Sequence, residues 1–359
     1  MGGVFRGGNR RGRGVQLATA LAGSWRASPG PLPTAGALVE LLPLALHSGA
    51  AGLVWQRARI SGTEAVRAAQ SLQDAFRLNT LRAGVQEGNI KRAVELLRSA
   101  GVEPVLGKGW LAAKPYPAPG LRPSGDIDFY VQPGEYARAR EVLGPPDDDA
   151  LLVDLHSGFS DLDDRSPAEI HRRLVSLEIG GARVLGFGAE DHLRLLSLHL
   201  LRHGVRRALW LCDVAAALEA RPQDFDWDYL GSGDPRRTRQ TACVLGLAFE
   251  LLGSSRAGVP AAWAATLPRW LGPAVLEEWG RIREPHGRRE PVSASLLLRS
   301  GVIEALRARW PNAIEATTSV RGPFNELPRL PFQVGDALRR SWRFARNSMA
   351  RPRGPRGSI

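Results

Sequence analysis

The segment Asp126-Ile-Asp-Phe-Tyr-Val-Gln132 constrains this chain more than any other. It alternates, is rich in β-formers, and follows the Pro- and Gly-rich loop Pro115–Gly125, so it reads as a strand. Side chains two apart on a strand share a face. Asp126 and Asp128 therefore stand together, while Ile127 and Phe129 turn into a core. Two like charges on one face repel unless a cation or a basic group compensates them. A strand carrying such a pair belongs at the open edge of a sheet, facing something positive.

The surroundings supply candidates. Upstream, Val102–Leu106 reads as a short strand running into Gly107-Lys108-Gly109. Glycines let backbone approach phosphates, and Lys108 adds a point charge. It is one of only three lysines in a chain that otherwise uses arginine, with Lys91 and Lys114. Downstream, Leu151–His156 is an apolar strand interrupted by Asp154. An acid in such a strand is costly unless bound or paired. If this strand lies beside the first, Asp154 completes a triad of carboxylates able to hold divalent cations and to accept a hydroxyl proton. Magnesium or manganese suits such oxygen ligands and substrate phosphates.

Around this unit the pattern is helical. Apolar residues recur at helical spacing from about Ala35 to Ser99, with a further helix over Asn89–Ser99 ending at Ala100-Gly101. A helix is expected over 134–143, a hairpin over 175–187 turning at Gly180-Gly181, and helices over 190–203, 208–220 and 238–252. Prolines break the region after Val259. The fold class is thus α+β: a small mixed-sheet unit flanked by N-terminal helices and a C-terminal helical domain. The expected divisions are a disordered basic N-terminus at 1–33, helices at 34–100, an α/β core at 101–188, a helical domain at 189–338 and a basic tail at 339–359.

The net charge of +12 suggests nucleic acid, but its distribution does not. Four arginines in residues 1–14 and seven in 339–359, with no acid in either stretch, carry nearly all of the excess. The core is close to neutral, which argues against long nucleic acid there. The tails could meet RNA, lipid or an acidic partner, or simply be solvated. Two cysteines, Cys212 and Cys243, exclude a disulfide scaffold and a cysteine-rich zinc site. Both sit in apolar helical stretches, as buried reduced thiols would in a cytoplasmic protein. No secretory signal and no transmembrane segment is visible.

On the expected helices, His199 and His203 are four apart and share a face, with Asp213 on the next helix. They read either as a zinc-like site or as a polar contact between helices, the contact being favoured.

The order of strand, Gly-Lys-Gly, Asp-Ile-Asp after about 17 residues and a third strand aspartate resembles the DNA polymerase β-like nucleotidyltransferase superfamily. The closer resemblance is to the bacterial uncharacterised nucleotidyltransferase family. It rests on Gly107-Lys108-Gly109, Tyr116–Asp128, Val153–His156, and His199 with His203 followed by Trp210–Asp213, and covers roughly residues 35–255. The resemblance implies that Asp126 and Asp128 are metal ligands and Asp154 the third carboxylate. Gly107, Lys108 and Gly109 would hold the phosphates of an NTP such as ATP, with Arg122 and Ser124 bordering that pocket. Arg122 would contact phosphate, pair with the aspartates, or be an ordinary loop arginine. His156, His199, His203 and Asp213 would form a substrate site or a polar site of the helical domain. The sequence departs from the family pattern in three places: Gly-Lys-Gly replaces the superfamily's Gly-Ser, the stretch between Leu143 and Leu151 is short, and Ser157 stands where an aromatic is common.

The implied activity is transfer of a nucleoside monophosphate from an NTP to an acceptor hydroxyl, releasing pyrophosphate. The acceptor is a small molecule, sugar, peptide or protein. A glycosyltransferase using Asp-x-Asp is the enzymatic alternative, but requires neither the Gly-Lys-Gly loop nor the third aspartate. A catalytically silent binding module with the same fold is the non-enzymatic one.

Overall fold

The computed structural model describes residues 9–32, 38–63, 67–123, 125–144, 151–264, 266–282 and 310–349. A five-stranded mixed sheet lies at its centre: β1 (Val105–Leu106), β2 (Ile127–Val131), β3 (Val153–Ser157), β4 (Val175–Ile179) and β5 (Ala182–Gly186). Their order is β3-β2-β1-β5-β4. β2 runs parallel to β3 and antiparallel to β1, and β1 is parallel to β5. The β4–β5 hairpin turns at Gly180-Gly181, where φ is +56° and +78°. Two consecutive positive φ angles are what a tight two-residue hairpin needs, and glycine supplies them without strain.

Fourteen helices surround the sheet among the described residues. α1 (Arg10–Leu21), α2 (Leu38–Ser48), α3 (Ala51–Ile60) and α4 (Arg67–Ser99) precede β1. α5 (Lys108–Ala113), α6 (Tyr136–Leu143) and α7 (Pro167–Arg172) interrupt the strands. α8 (Ala189–Arg202), α9 (Ala208–Glu219), α10 (Trp227–Gly231), α11 (Pro235–Leu252) and α12 (Leu271–Trp279) follow. Two later helices are α13 (Ala313–Ser319) and α14 (Leu330–Met349). None of the described helices is long and apolar enough to cross a membrane.

The apolar interior forms two clusters. One packs Ile90, Ala93, Val94 and Leu97 of α4 against the sheet. The larger joins α1–α4 to α8, α9, α11 and α12, so helices before and after the sheet share one core. α5 and α8 span both: Leu111 and Leu195 belong to the sheet cluster, Ala112 and Leu196 to the helical one. Elements that bridge two cores are held from both sides, and α5 carries Lys108 of the cluster described below.

Three expectations need correction. Residues 10–32 are not disordered: α1 is capped by the Asn9 side chain and buries Leu17 and Leu21, with Trp25 buried beyond it. The glycines that suggested disorder allow close packing. A Cβ at Gly14 would fall 1.8 Å from the Leu276 carbonyl oxygen, and one at Gly280 1.8 Å from that of Arg10. Buried Arg57 then donates to the carbonyls of Thr19 (2.7 Å), Ala20 (2.9 Å) and Gly30 (2.8 Å), which have no helical partner left. Second, Asn89–Ser99 is not a separate helix but the end of the 33-residue α4. It runs unbroken through Gly84 and Gly88. Third, the basic tail from 339 begins inside α14, where Arg340 pairs with Glu315 (3.0 Å) and Asp336 (2.6 Å). Residues 350–359 lie outside the described residues.

Candidate active site

Two parallel strands place the acids. In the β2–β3 register Asp128 stands directly opposite Asp154, and Tyr130 opposite His156. Because alternate residues share a face, Asp128, Tyr130, Asp154 and His156 all present to one side. β2 is not an edge, as the sequence suggested, but lies between β3 and β1, so Asp128 is buried. β3 is the edge strand, and the Asp154 side chain is half exposed.

Oxygens of Asp128 and Asp154 and a ring nitrogen of His156 lie within 4.8 Å of one another, the one such convergence of three metal-ligating side chains among the described residues. His156 Nε2 is 3.2 Å from Asp154 Oδ2 and 3.4 Å from Asp128 Oδ1, and its ring stacks on Tyr130 with centroids 4.4 Å apart. Asp126 precedes β2, is exposed, and stays outside that convergent set. It still feels the others: burial, then the charge of Asp128, raises its carboxyl above the ordinary value.

Lys108 supplies the positive charge. Its ammonium is 2.8 Å from Asp128 Oδ1, 3.3 Å from His156 Nε2 and 3.7 Å from Asp161 Oδ2. Burial alone would raise the Asp128 carboxyl, but His156 and Lys108 outweigh it, and it lies below the usual carboxylate range. Lys108 holds φ at +30°, a left-handed conformation that a lysine adopts only under constraint. The glycines beside it answer to packing. A Cβ at Gly107 would be 2.7 Å from the Tyr130 ring, and one at Gly109 3.5 Å from Asp128 Oδ2. Fully buried His192, on α8, hydrogen-bonds the Lys108 backbone from behind, and burial pushes its pKa down to about 3.

Asp161, which the sequence did not single out, is the further acid here. It is buried, accepts from the Tyr130 hydroxyl at 3.0 Å and pairs with Arg202 of α8. The charge of Arg202 overcomes burial and keeps it ionised below the ordinary range. Nothing in Ser160-Asp-Leu-Asp-Asp164 distinguishes one acid of three; the tertiary contact with α8 does.

Arg122 does not face the aspartates. Its guanidinium forks onto Asp213 of α9 (Nε to Oδ1 2.9 Å, Nη2 to Oδ2 3.1 Å), and the Tyr116 hydroxyl donates to the same carboxylate at 2.8 Å. The pair is buried and ties the loop ahead of β2 to the helical layer. Asp213 is thereby spoken for. Neither expected role of the helical histidines with Asp213 is seen among the described residues. Instead His199 and His203 pack tilted at 4.5 Å, each edgewise on Trp210. Burial, then His203 and Lys108, pushes the His199 pKa down to about 3, so it is neutral. Ser124 lies outside the described residues.

A cavity of about 600 Å³ opens at the opposite end of the same strands, lined by residues including Tyr130, Gln132, Ser157, Phe159 and His171. None of Asp126, Asp128, Asp154 and Asp161 lines it, and proximity to the charged cluster is the better guide to chemistry.

Residues 38–147 and 145–253 match the sequence profile of a family described as uncharacterised nucleotidyltransferase, more than half of the chain. No curated protein matches it. A crystal structure of an antigenic nucleotidyltransferase-like protein from Paracoccidioides brasiliensis is similar at 13% identity and a TM-score of 0.33, over 49% of this chain and 94% of that one.

Proposed function

The chain belongs to the uncharacterised nucleotidyltransferase family, and from that premise we propose that it transfers a nucleoside monophosphate from an NTP to an acceptor hydroxyl with release of pyrophosphate. The observation that carries this is the placement of Asp128 opposite Asp154 on parallel strands, with the Lys108 ammonium on Asp128. Two carboxylates and one imidazole within 4.8 Å would hold a divalent cation such as manganese or magnesium through Asp128, Asp154 and His156. Such an ion supplies Lewis-acid charge neutralisation to the phosphates.

The chain's own residues do the rest. Lys108 neutralises Asp128 and has a second acceptor, Asp161, within reach. With Asp128 engaged by such a cation, the Lys108 ammonium would keep Asp161 as its acceptor and offer the phosphates a point charge. Gly109 packs closely on the start of β2, where a Cβ would meet the Asp126 carbonyl oxygen at 3.1 Å and Asp128 Oδ2 at 3.5 Å. Asp154, half exposed at the sheet edge, is the group that accepts the proton of the attacking hydroxyl. The Arg122–Asp213–Tyr116 contact fixes the loop that delivers Asp126 and Asp128. The buried free thiols Cys212 and Cys243 support a cytoplasmic setting.

The test is incubation of the full chain with Mg²⁺ and NTPs in cell extract, labelled at the α- or the γ-phosphate. Transfer of α-label by wild type and not by Asp126→Ala/Asp128→Ala supports nucleotidyl transfer. Transfer of γ-label alone, equal labelling by the variant, or label only from nucleotide sugars contradicts it.

A further inference from the structure

α14 packs polar groups inward and leaves apolar side chains outside. Its inner side is polar. Asp336 is buried, Arg340 reaches Glu315 of α13, Gln333 donates to the Pro311 carbonyl at 2.8 Å, and Arg339 donates to the Ser319 carbonyl. Its outer side is apolar. Leu330, Val334, Leu338 and Trp342 are 60%, 40%, 67% and 61% exposed. At four-residue spacing they form one stripe that winds slowly round the helix.

Charge accompanies the stripe. From Ala337 to the C-terminus there is no acidic residue and there are seven arginines. Arg343 and Arg346 are exposed beside the stripe, with the Arg346 guanidinium 5.0 Å from the Trp342 ring. A helix with an exposed apolar stripe, a tryptophan on it and arginines at its borders suits the plane between lipid headgroups and acyl chains. Clustered arginines are drawn to anionic headgroups. Phosphates of a nucleic acid would use the arginines and leave the apolar stripe in water, so the two features together favour a bilayer.

We propose that α14 is a docking surface for an anionic membrane. The helix lies in the interface and holds the sheet and its carboxylates beside the bilayer. This does not depend on the reaction assigned above.

The test uses the full chain and sedimentation with vesicles of phosphatidylcholine alone or with an equal part of phosphatidylglycerol. Wild type is expected to partition at least tenfold more strongly onto the anionic vesicles, and to be released by high salt. Leu338→Glu/Trp342→Glu and, separately, Arg343→Glu/Arg346→Glu are each expected to lose at least tenfold in partition. All four side chains are exposed, so urea midpoints should match wild type. The comparison of the two vesicle types by wild type stands even if a variant fails to fold. No binding to anionic vesicles overturns the proposal. So does undiminished binding by Leu338→Glu/Trp342→Glu, tighter binding of an RNA homopolymer with none to vesicles, or a wild-type dimer that Leu338→Glu/Trp342→Glu dissociates.

Discussion

Two of the buried cation–carboxylate pairs in this molecule, Arg122–Asp213 and Lys108–Asp128, are built for opposite purposes. Arg122–Asp213 is bidentate, receives a third bond from Tyr116, and joins a loop to α9. Lys108–Asp128 is a single contact between a point charge and one oxygen, on a lysine with φ at +30°, with an alternative acceptor 3.7 Å away and the half-exposed Asp154 alongside. A forked, saturated pair resists exchange. A single contact among surplus acids invites another cation. The first is a strut and the second a site, although both are buried ion pairs.

The contrast can be broken first by removing one member of each pair. Asp128→Asn is expected to lower transfer by about 10³-fold, since it removes charge stabilisation from the reacting phosphates. Its unfolding free energy should shift by less than about 1 kcal/mol, because Lys108 keeps Asp161 and site residues seldom stabilise the fold. Asp213→Ala should do the reverse, costing about 3–5 kcal/mol of stability by stranding a buried guanidinium, read from urea midpoints. Comparable stability losses in both variants would erase the distinction.

Mg²⁺ sharpens it further. At a hundredfold excess over its dissociation constant the ion should stabilise wild type by about 2.7 kcal/mol, seen as a higher melting temperature. Asp128→Asn/Asp154→Asn should show no rise, and Asp213→Asn should keep it. The smallest expected effect concerns the histidines behind the site. His192 and His199 are neutral in the fold with pKa values pushed down to about 3. The unfolded chain takes up protons first, near pH ~6.5. Stability present above that value is therefore lost as pH falls toward 3. Between pH 6.5 and 5 the loss should be about 1–2 kcal/mol per histidine, and His192→Gln should reduce it.

How much of this could be read beforehand depends on whether the determinant is local. The facing of Asp128 and Asp154 follows from two alternating strands once they are adjacent, and the hairpin at Gly180-Gly181 follows from backbone freedom. His156 was visible by parity, two residues past Asp154, yet read as a helical-domain or substrate group because its metal-side contacts depend on register. Arg122 sits three residues before the Gly125-Asp126 pair and looks phosphate-facing; only α9 reveals that Asp213 captures it. Asp161 becomes distinct only through Arg202, about forty residues later. The Gly- and Arg-rich start resembles a disordered arm because Gly14 serves a helix crossing, at Leu276, that no local pattern announces.

The central claim is that the Lys108–Asp128 contact opens to a cation and the Arg122–Asp213 contact does not. Crystals grown with Mn²⁺ and a non-hydrolysable NTP, measured for anomalous scattering, test it directly. The expected map places manganese on Asp128 and Asp154, with the Lys108 ammonium turned toward Asp161 and the phosphates, and Arg122 unmoved on Asp213. Manganese bound elsewhere, or Lys108 still on Asp128 beside a bound nucleotide, would contradict it.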